Sequence, residues 1–169
     1  MRKKLISLSC ALLLMAGLLG ISTSQVQAED RPMIDGSYLI REEKSVGYDT
    51  KITRGVDLLT GYSKSVRLGP GLLYAGGTTI AAHIVDEVGL SVMVERAQEG
   101  DDHWEFYDGW QKFNQNIDKV SANRRMEVEG DYYYRVRCTH SANSDMSSSF
   151  TNGVFIEEPQ ILPGIPEIG

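Results

Sequence analysis

The chain has 169 residues, 17 basic against 23 acidic, with a formal net charge of −6 and 41% hydrophobic residues. That length suits one domain whose core is large enough to fold without a structural metal or disulfide staples. The acidic balance, with no long basic stripe, disfavours nucleic acid and polybasic membrane attachment as partners.

The first element in chain order is the run MRKKLISLSCALLLMAGLLGISTSQVQAED. Arg2, Lys3 and Lys4 make a basic start, Leu5 to Ile21 an apolar stretch, and Val26-Gln27-Ala28 a site with small residues at the cleavage positions. This is the architecture of a secretory signal peptide, so residues 1–28 are expected to be cleaved after Ala28 and the product to be secreted and extracellular. The apolar run is short for a membrane span and is broken by Ser7, Ser9 and Gly17, so no stable membrane anchor is expected. Cys10 stands near the start of that run instead of its end, which disfavours a lipid anchor. Cleavage removes three cations and no acid, leaving 14 basic and 23 acidic residues and a net charge of −9. Cys138 is then the single cysteine, and no disulfide can form within the mature chain.

Residues 29–62 mix charges with isolated apolar positions and sustain neither helical nor strand periodicity, so they are read as a less ordered N-terminal arm. From Ser63 the texture changes to short β-like runs separated by turn residues, and residues 63–157 are read as the folded domain. SKSVRL ends at Gly69-Pro70-Gly71. TTIAAHIV places Ile80, Ala82 and Ile84 on one face, and GLSVMVERA places Leu90, Val92 and Val94 opposite Ser91, Met93 and Glu95. Gly100-Asp101-Asp102 marks a turn before HWEFY, in which Trp104 and Phe106 share a face. Residues 111–125 are polar and are expected to form an irregular connection with at most one strand.

The run GDYYYRVRCTHSAN carries a cysteine two residues from a histidine, which raises a nucleophile-and-base pairing. As a strand it places Tyr132, Tyr134, Val136, Cys138 and His140 on one face and Tyr133, Arg135, Arg137 and Thr139 on the other, the alternation of one buried and one wet face. Residues two apart on a strand point the same way with Cα atoms about 6.6 Å apart, which argues against a Cys138–His140 dyad. Arg135 and Arg137 are expected to pair with cross-strand acids such as Glu95.

VEGDYYYRVRCTHSANSDMSSSFTNGVFI resembles the last two strands and intervening turn of fibronectin type III domains, within the immunoglobulin-like class. That resemblance implies a tyrosine-corner hydroxyl on one of Tyr132, Tyr133 or Tyr134, and Trp104 resembles the buried tryptophan of a central strand in such sandwiches. It is a likeness of fold and is silent on chemistry. In general style the chain also looks like small exported proteins of Gram-positive bacteria.

The expected fold is therefore all-β, a single antiparallel β-sandwich of immunoglobulin-like type. Residues 158–169, EPQILPGIPEIG, are read as an extended C-terminal tail containing prolines. EGDDHWE does not match a calcium loop, and neither phosphate-loop nor serine-hydrolase motifs occur, so no metal, cofactor or catalytic residue is assigned. Trp110, Tyr107, Tyr62 and Tyr133 are the candidate binding residues, expected at strand ends or on wet faces where rings stack on sugars or anchor a protein. The first functional reading is a secreted, non-catalytic module that binds an extracellular protein or a glycan. The alternatives are a small exported enzyme using Cys138 with a histidine or a carboxylate pair, and a secreted toxin or signalling factor.

Overall fold

The computed structural model describes residues 31–50 and 55–160, so the expected signal peptide and the tail beyond residue 160 lie outside the described residues. The described chain is all-β, with no helix among the described residues. Its strands are β1 (Met33–Ile34), β2 (Ser37–Ile40), β3 (Lys44–Tyr48), β4 (Leu58–Gly69), β5 (Leu72–Ala97), β6 (Glu105–Glu127), β7 (Tyr132–Ala142), β8 (Asp145–Phe150) and β9 (Gly153–Ile156). They join in one sheet ordered β1-β2-β9-β7-β5-β4-β3, with β6 also on β5 and β8 also on β7. All pairings are antiparallel except β2 with β9.

The sheet curls because its longest strands bend. In β5 and β6 the register jumps between Ile80–Lys119 and Val85–Ile117, so that four residues, Ala81 to Ile84, stand against Asp118 alone. Such an irregularity kinks a strand and increases its twist. Before the bend β5 pairs with β4, and after it with β7. Beyond the bend β6 meets itself: Lys112 Nζ donates to the Ser121 carbonyl at 3.2 Å, and Arg124 reaches Asp108 at 3.7 Å. The bend also overturns one expected alternation, for Thr79 and Ala81 are buried whereas Ile84 projects into solvent.

The inner surface of the curl holds the main core, with Leu73, Val88, Leu90, Val94, Val120, Val136, Val154 and Ile156 packed together. Where β4 and the first arm of β5 cross β7 the surfaces meet through small residues and hydroxyls instead. Gly61 lies against the His140 ring, a Cβ at Gly77 would stand 2.7 Å from Cys138 Sγ, and Ser65 Oγ donates to the Tyr134 carbonyl at 3.2 Å. A second, smaller cluster on the outer surface joins Ile34, Leu39, Ala97, Trp104 and Tyr133.

Two expectations are corrected here. Residues 111–125 are not an irregular connection but part of β6, a strand whose ladder partner among the described residues is β5 alone, so most of its side chains face water and its sequence is polar. Residues 29–62 are not merely an arm, because β1, β2, β3 and the start of β4 fall within them. β1, β2 and β3 are too short to show a period, and Ile34 and Leu39 are buried in a cluster with distant Ala97, Trp104, Tyr133 and Phe155. The expected strand around Cys138 is β7, with Tyr134, Val136, Cys138 and His140 all inward and buried. Of the three adjacent tyrosines, Tyr134 donates its hydroxyl to the Glu129 carbonyl at 2.7 Å, five residues upstream.

Candidate functional site

The reactive side chains of β7 are closed off from solvent. Cys138 is buried with Sγ 3.8 Å from the Gly76 carbonyl, and burial pushes its thiol up to about 12, so it stays protonated at neutral pH. His140 is fully buried and does not engage Cys138. Its Nδ1 lies 2.9 Å from Thr79 Oγ1 and its Nε2 2.8 Å from Ser149 Oγ. Thr79 donates its hydroxyl proton to the Gly89 carbonyl at 2.9 Å, so it accepts from Nδ1–H, and Ser149 donates to the Nε2 lone pair. A serine donating to an imidazole is the geometry of an activated nucleophile. Here, however, Ser149 is buried, Nδ1 is held by Thr79 and by no carboxylate among the described residues, and burial lowers the imidazole to about 4, which makes it a weak base. The arrangement is a structural hydrogen-bond chain across the narrow part of the curl.

The four aromatic residues singled out in the sequence do not converge. Trp110 faces inward opposite Val92, half-buried against the main core, with the Arg124 guanidinium 4.5 Å from its ring and its Nε1 buried without a partner among the described residues. Tyr107 packs edge-on against Tyr134 at 5.3 Å. Tyr62 lies on the outer surface of β4, 6.1 Å from the ring of exposed Tyr48, and its hydroxyl accepts from Thr78 Oγ1 at 3.1 Å. Tyr133, expected on a wet face, is buried beneath the β1–β2 hairpin against Phe155, whose ring is 5.0 Å away. The correction has a plain cause: β1 and β2 cover one end of the outward face of β7, a long-range event with no local signal.

The remainder of that outward face is open. Ser91 and Met93 of β5 stand between Gln111 and Gly109 of β6 on one side and Thr139 and Arg137 of β7 on the other, with Ser148 and Phe150 of β8 beyond. The register shift between Val94 and Glu95 brings Phe106 opposite Glu95 on the same face, and Phe113 lies over Gly89. Met93 is 41% exposed, Phe106 62%, Phe113 49% and Phe150 45%, so four large apolar side chains share one solvent-facing surface. Apolar side chains gathered on one surface mark interaction sites more often than scattered ones do.

Because Gly109 has no side chain, the surface is concave. A hollow of about 440 Å³ opens over Gly109, with Met93, Phe106, Gln111, Thr139 and Arg137 in its walls. A second of about 340 Å³ adjoins it, lined by Asp35, Gly36, Phe150 and the shared Arg137 and Ser148.

A buried ion network braces the arginines. Arg135 Nε donates to Glu95 Oε2 at 2.7 Å, and its Nη atoms reach Ser37 Oγ at 3.2 Å and the Asp35 carbonyl and carboxylate at 3.0 Å each. The Trp104 ring covers the same guanidinium at 4.7 Å. Bonding to Arg135 holds the Asp35 carboxyl below its ordinary range. The other Glu95 oxygen meets Arg137 Nη1 at 3.4 Å, so the expected cross-strand pairing with Glu95 is present for both arginines. Arg135 is enclosed, whereas the Arg137 side chain is half exposed and faces the groove.

Sequence reasoning missed this groove. Its one signal was the polar-face position of Met93 between Ser91 and Glu95, a large apolar residue where a small or charged one is usual. A scan against protein-family models and searches of the curated proteins and of the solved structures return no match.

Proposed function

We propose that this chain is an exported, non-catalytic binding module that recognises a protein partner through the groove on the outer face of β5, β6, β7 and β8. The observation that carries this is the sharing of one strand surface by exposed Met93, Phe106, Phe113 and Phe150, together with half-exposed Arg137 and the hydroxyls of Ser91, Thr139 and Ser148. Methionine, aromatic residues and arginine are the types enriched in protein interfaces, and a rigid sheet presents them without the backbone ordering cost of a loop. Export is supported by the basic start, apolar stretch and Ala28 cleavage site of the leader. The immunoglobulin-like sandwich is retained as the finer fold assignment, supported by the Tyr134 hydroxyl bonding back to Glu129 in the manner of a tyrosine corner.

A second reading, glycan binding, has its own support in exposed Tyr48 beside Tyr62 on the outer surface of β3 and β4. One experiment separates the two. The labelled chain is applied to whole cells and to a glycan array, beside the Phe106→Asp and Tyr48→Ala variants. Cell binding abolished by Phe106→Asp and kept by Tyr48→Ala is expected. Array binding lost only in Tyr48→Ala would replace the protein-partner reading with the glycan one.

A further inference from the structure

The larger hollow has a chemical character more specific than an apolar patch. Among the described residues, Arg137 is the one charged side chain that lines it. This stands out in a chain with 23 acidic residues. One guanidinium nitrogen is tied to Glu95 Oε1 at 3.4 Å, which orients the fork without enclosing it. Glu95 itself is held at 2.7 Å by buried Arg135, so the support beneath the fork is rigid. Beside the cation stand Ser91, Thr139, Ser148 and Gln111, side chains able to donate hydrogen bonds. Phe106 and Met93 form the apolar walls over the floor left by Gly109. The adjoining hollow contains the Asp35 carboxylate, which repels a second anion and leaves the Gly109 side as the place where one can sit.

We infer that this hollow takes an apolar side chain bearing a neighbouring carboxylate, the carboxylate on Arg137 and the apolar body between Phe106 and Met93. The inference rests on the proposed groove and names its ligand class. Arginine presents a planar fork matched to carboxylate geometry, and a cavity of this size holds one or two residues of a peptide or a small organic anion. A peptide C-terminus and a free aromatic carboxylic acid offer the same chemistry.

The test is a nuclear magnetic resonance titration of the chain with N-acetylphenylalanine, N-acetylphenylalaninamide and the peptide Ala-Ala-Ala-Phe with a free carboxyl end. The acid should shift the backbone amides of Met93, Gly109 and Thr139 with a dissociation constant on the order of 1 mM, as expected for a ligand of that size. Removing the negative charge in the amide, or the cation in Arg137→Gln, should weaken binding about fivefold or more. Arg125→Gln, on the other arm of β6, should leave it unchanged. Tighter binding of the peptide than of N-acetylphenylalanine supports a chain end as the natural source, and equal binding supports a small anion. Equal binding of acid and amide, with no effect of Arg137→Gln, overturns the anion assignment yet leaves an apolar groove in place. No shift of the groove amides by any of the three overturns the inference, while the Phe106→Asp cell-binding result still judges the protein-partner reading separately.

Discussion

Glu95 shows what a single residue does here. It lies against two arginines, one buried and one facing the groove. Removing Glu95 leaves buried Arg135 with only the largely exposed Asp35 carboxylate as its counter-charge among the described residues, so Glu95→Ala should cost on the order of 3 kcal/mol by urea unfolding, whereas Arg137→Ala should cost under about 1 kcal/mol. His140 gives a pH signature. Burial lowers its folded value to about 4 from an ordinary 6.5, so the unfolded chain binds the proton first as pH falls. Its contribution is therefore complete above about pH 6.5 and is lost between there and about pH 4, at up to about 1.4 kcal/mol per pH unit. The negative charge of nearby Asp49 favours the imidazolium and opposes the trend. Urea midpoints at pH 7 and pH 5 should differ in the native chain and converge in His140→Gln. Cys138, with its thiol raised to about 12, should resist alkylation at neutral pH until the chain is unfolded. The inward set of β7 was legible in the sequence because Tyr134, Val136, Cys138, His140 and Ala142 take alternate positions along the strand, and all five are buried. Burial of Tyr133 and Arg135 on the opposite face was not, since it depends on β1 and β2, about a hundred positions away.

At the scale of elements, the informative contrast is between β7 and β6. Both are long strands, yet β6 reads as polar irregular chain, because strand identity there comes from the backbone ladder with β5 and not from a hydrophobic face. Its outer edge is guarded by its own side chains, with Lys112 and Asn114 donating to the Ser121 and Lys119 carbonyls at 3.2 and 3.5 Å. Self-capping of this kind blunts an edge that would otherwise invite pairing with another chain. Where β4 and the first arm of β5 meet β7 the surfaces approach closely through Gly61 and Gly77, and a methyl at either meets the His140 ring or Cys138 Sγ. Gly61→Ala is expected to destabilise by about 1–3 kcal/mol through overpacking, measured by thermal or urea unfolding. The strands bounded by Gly69-Pro70-Gly71 and Gly100-Asp101 were readable from turn chemistry, with Gly71 and Gly100 both at positive φ. The bend at Ala81–Ile84 was not, because nothing in TTIAAHIV distinguishes a run that kinks from one that continues straight.

For the whole molecule, the all-β class and the absence of a catalytic pairing at Cys138 and His140 follow from residues visible in the sequence. The groove does not. It is assembled from β5, β6, β7 and β8, and it exists because a register shift at Val94–Glu95 turns Phe106 outward and because Gly109 leaves its floor bare. Of the aromatic residues chosen from sequence, Trp110 and Tyr107 pack against the main core, Tyr133 is covered by β1 and β2, and Tyr62 stays on the outer surface, whereas Met93, Phe106 and Phe150 are exposed. A direct measurement of where this protein is recognised is photo-crosslinking on whole cells, with benzoylphenylalanine placed at Phe106 in one variant and at Tyr48 in another. A defined protein adduct formed from position 106, absent from position 48 and competed by unlabelled chain, is the expected result. Adducts from position 48 alone, or equal non-competed labelling from both, would contradict recognition through the outer face of β5 to β8.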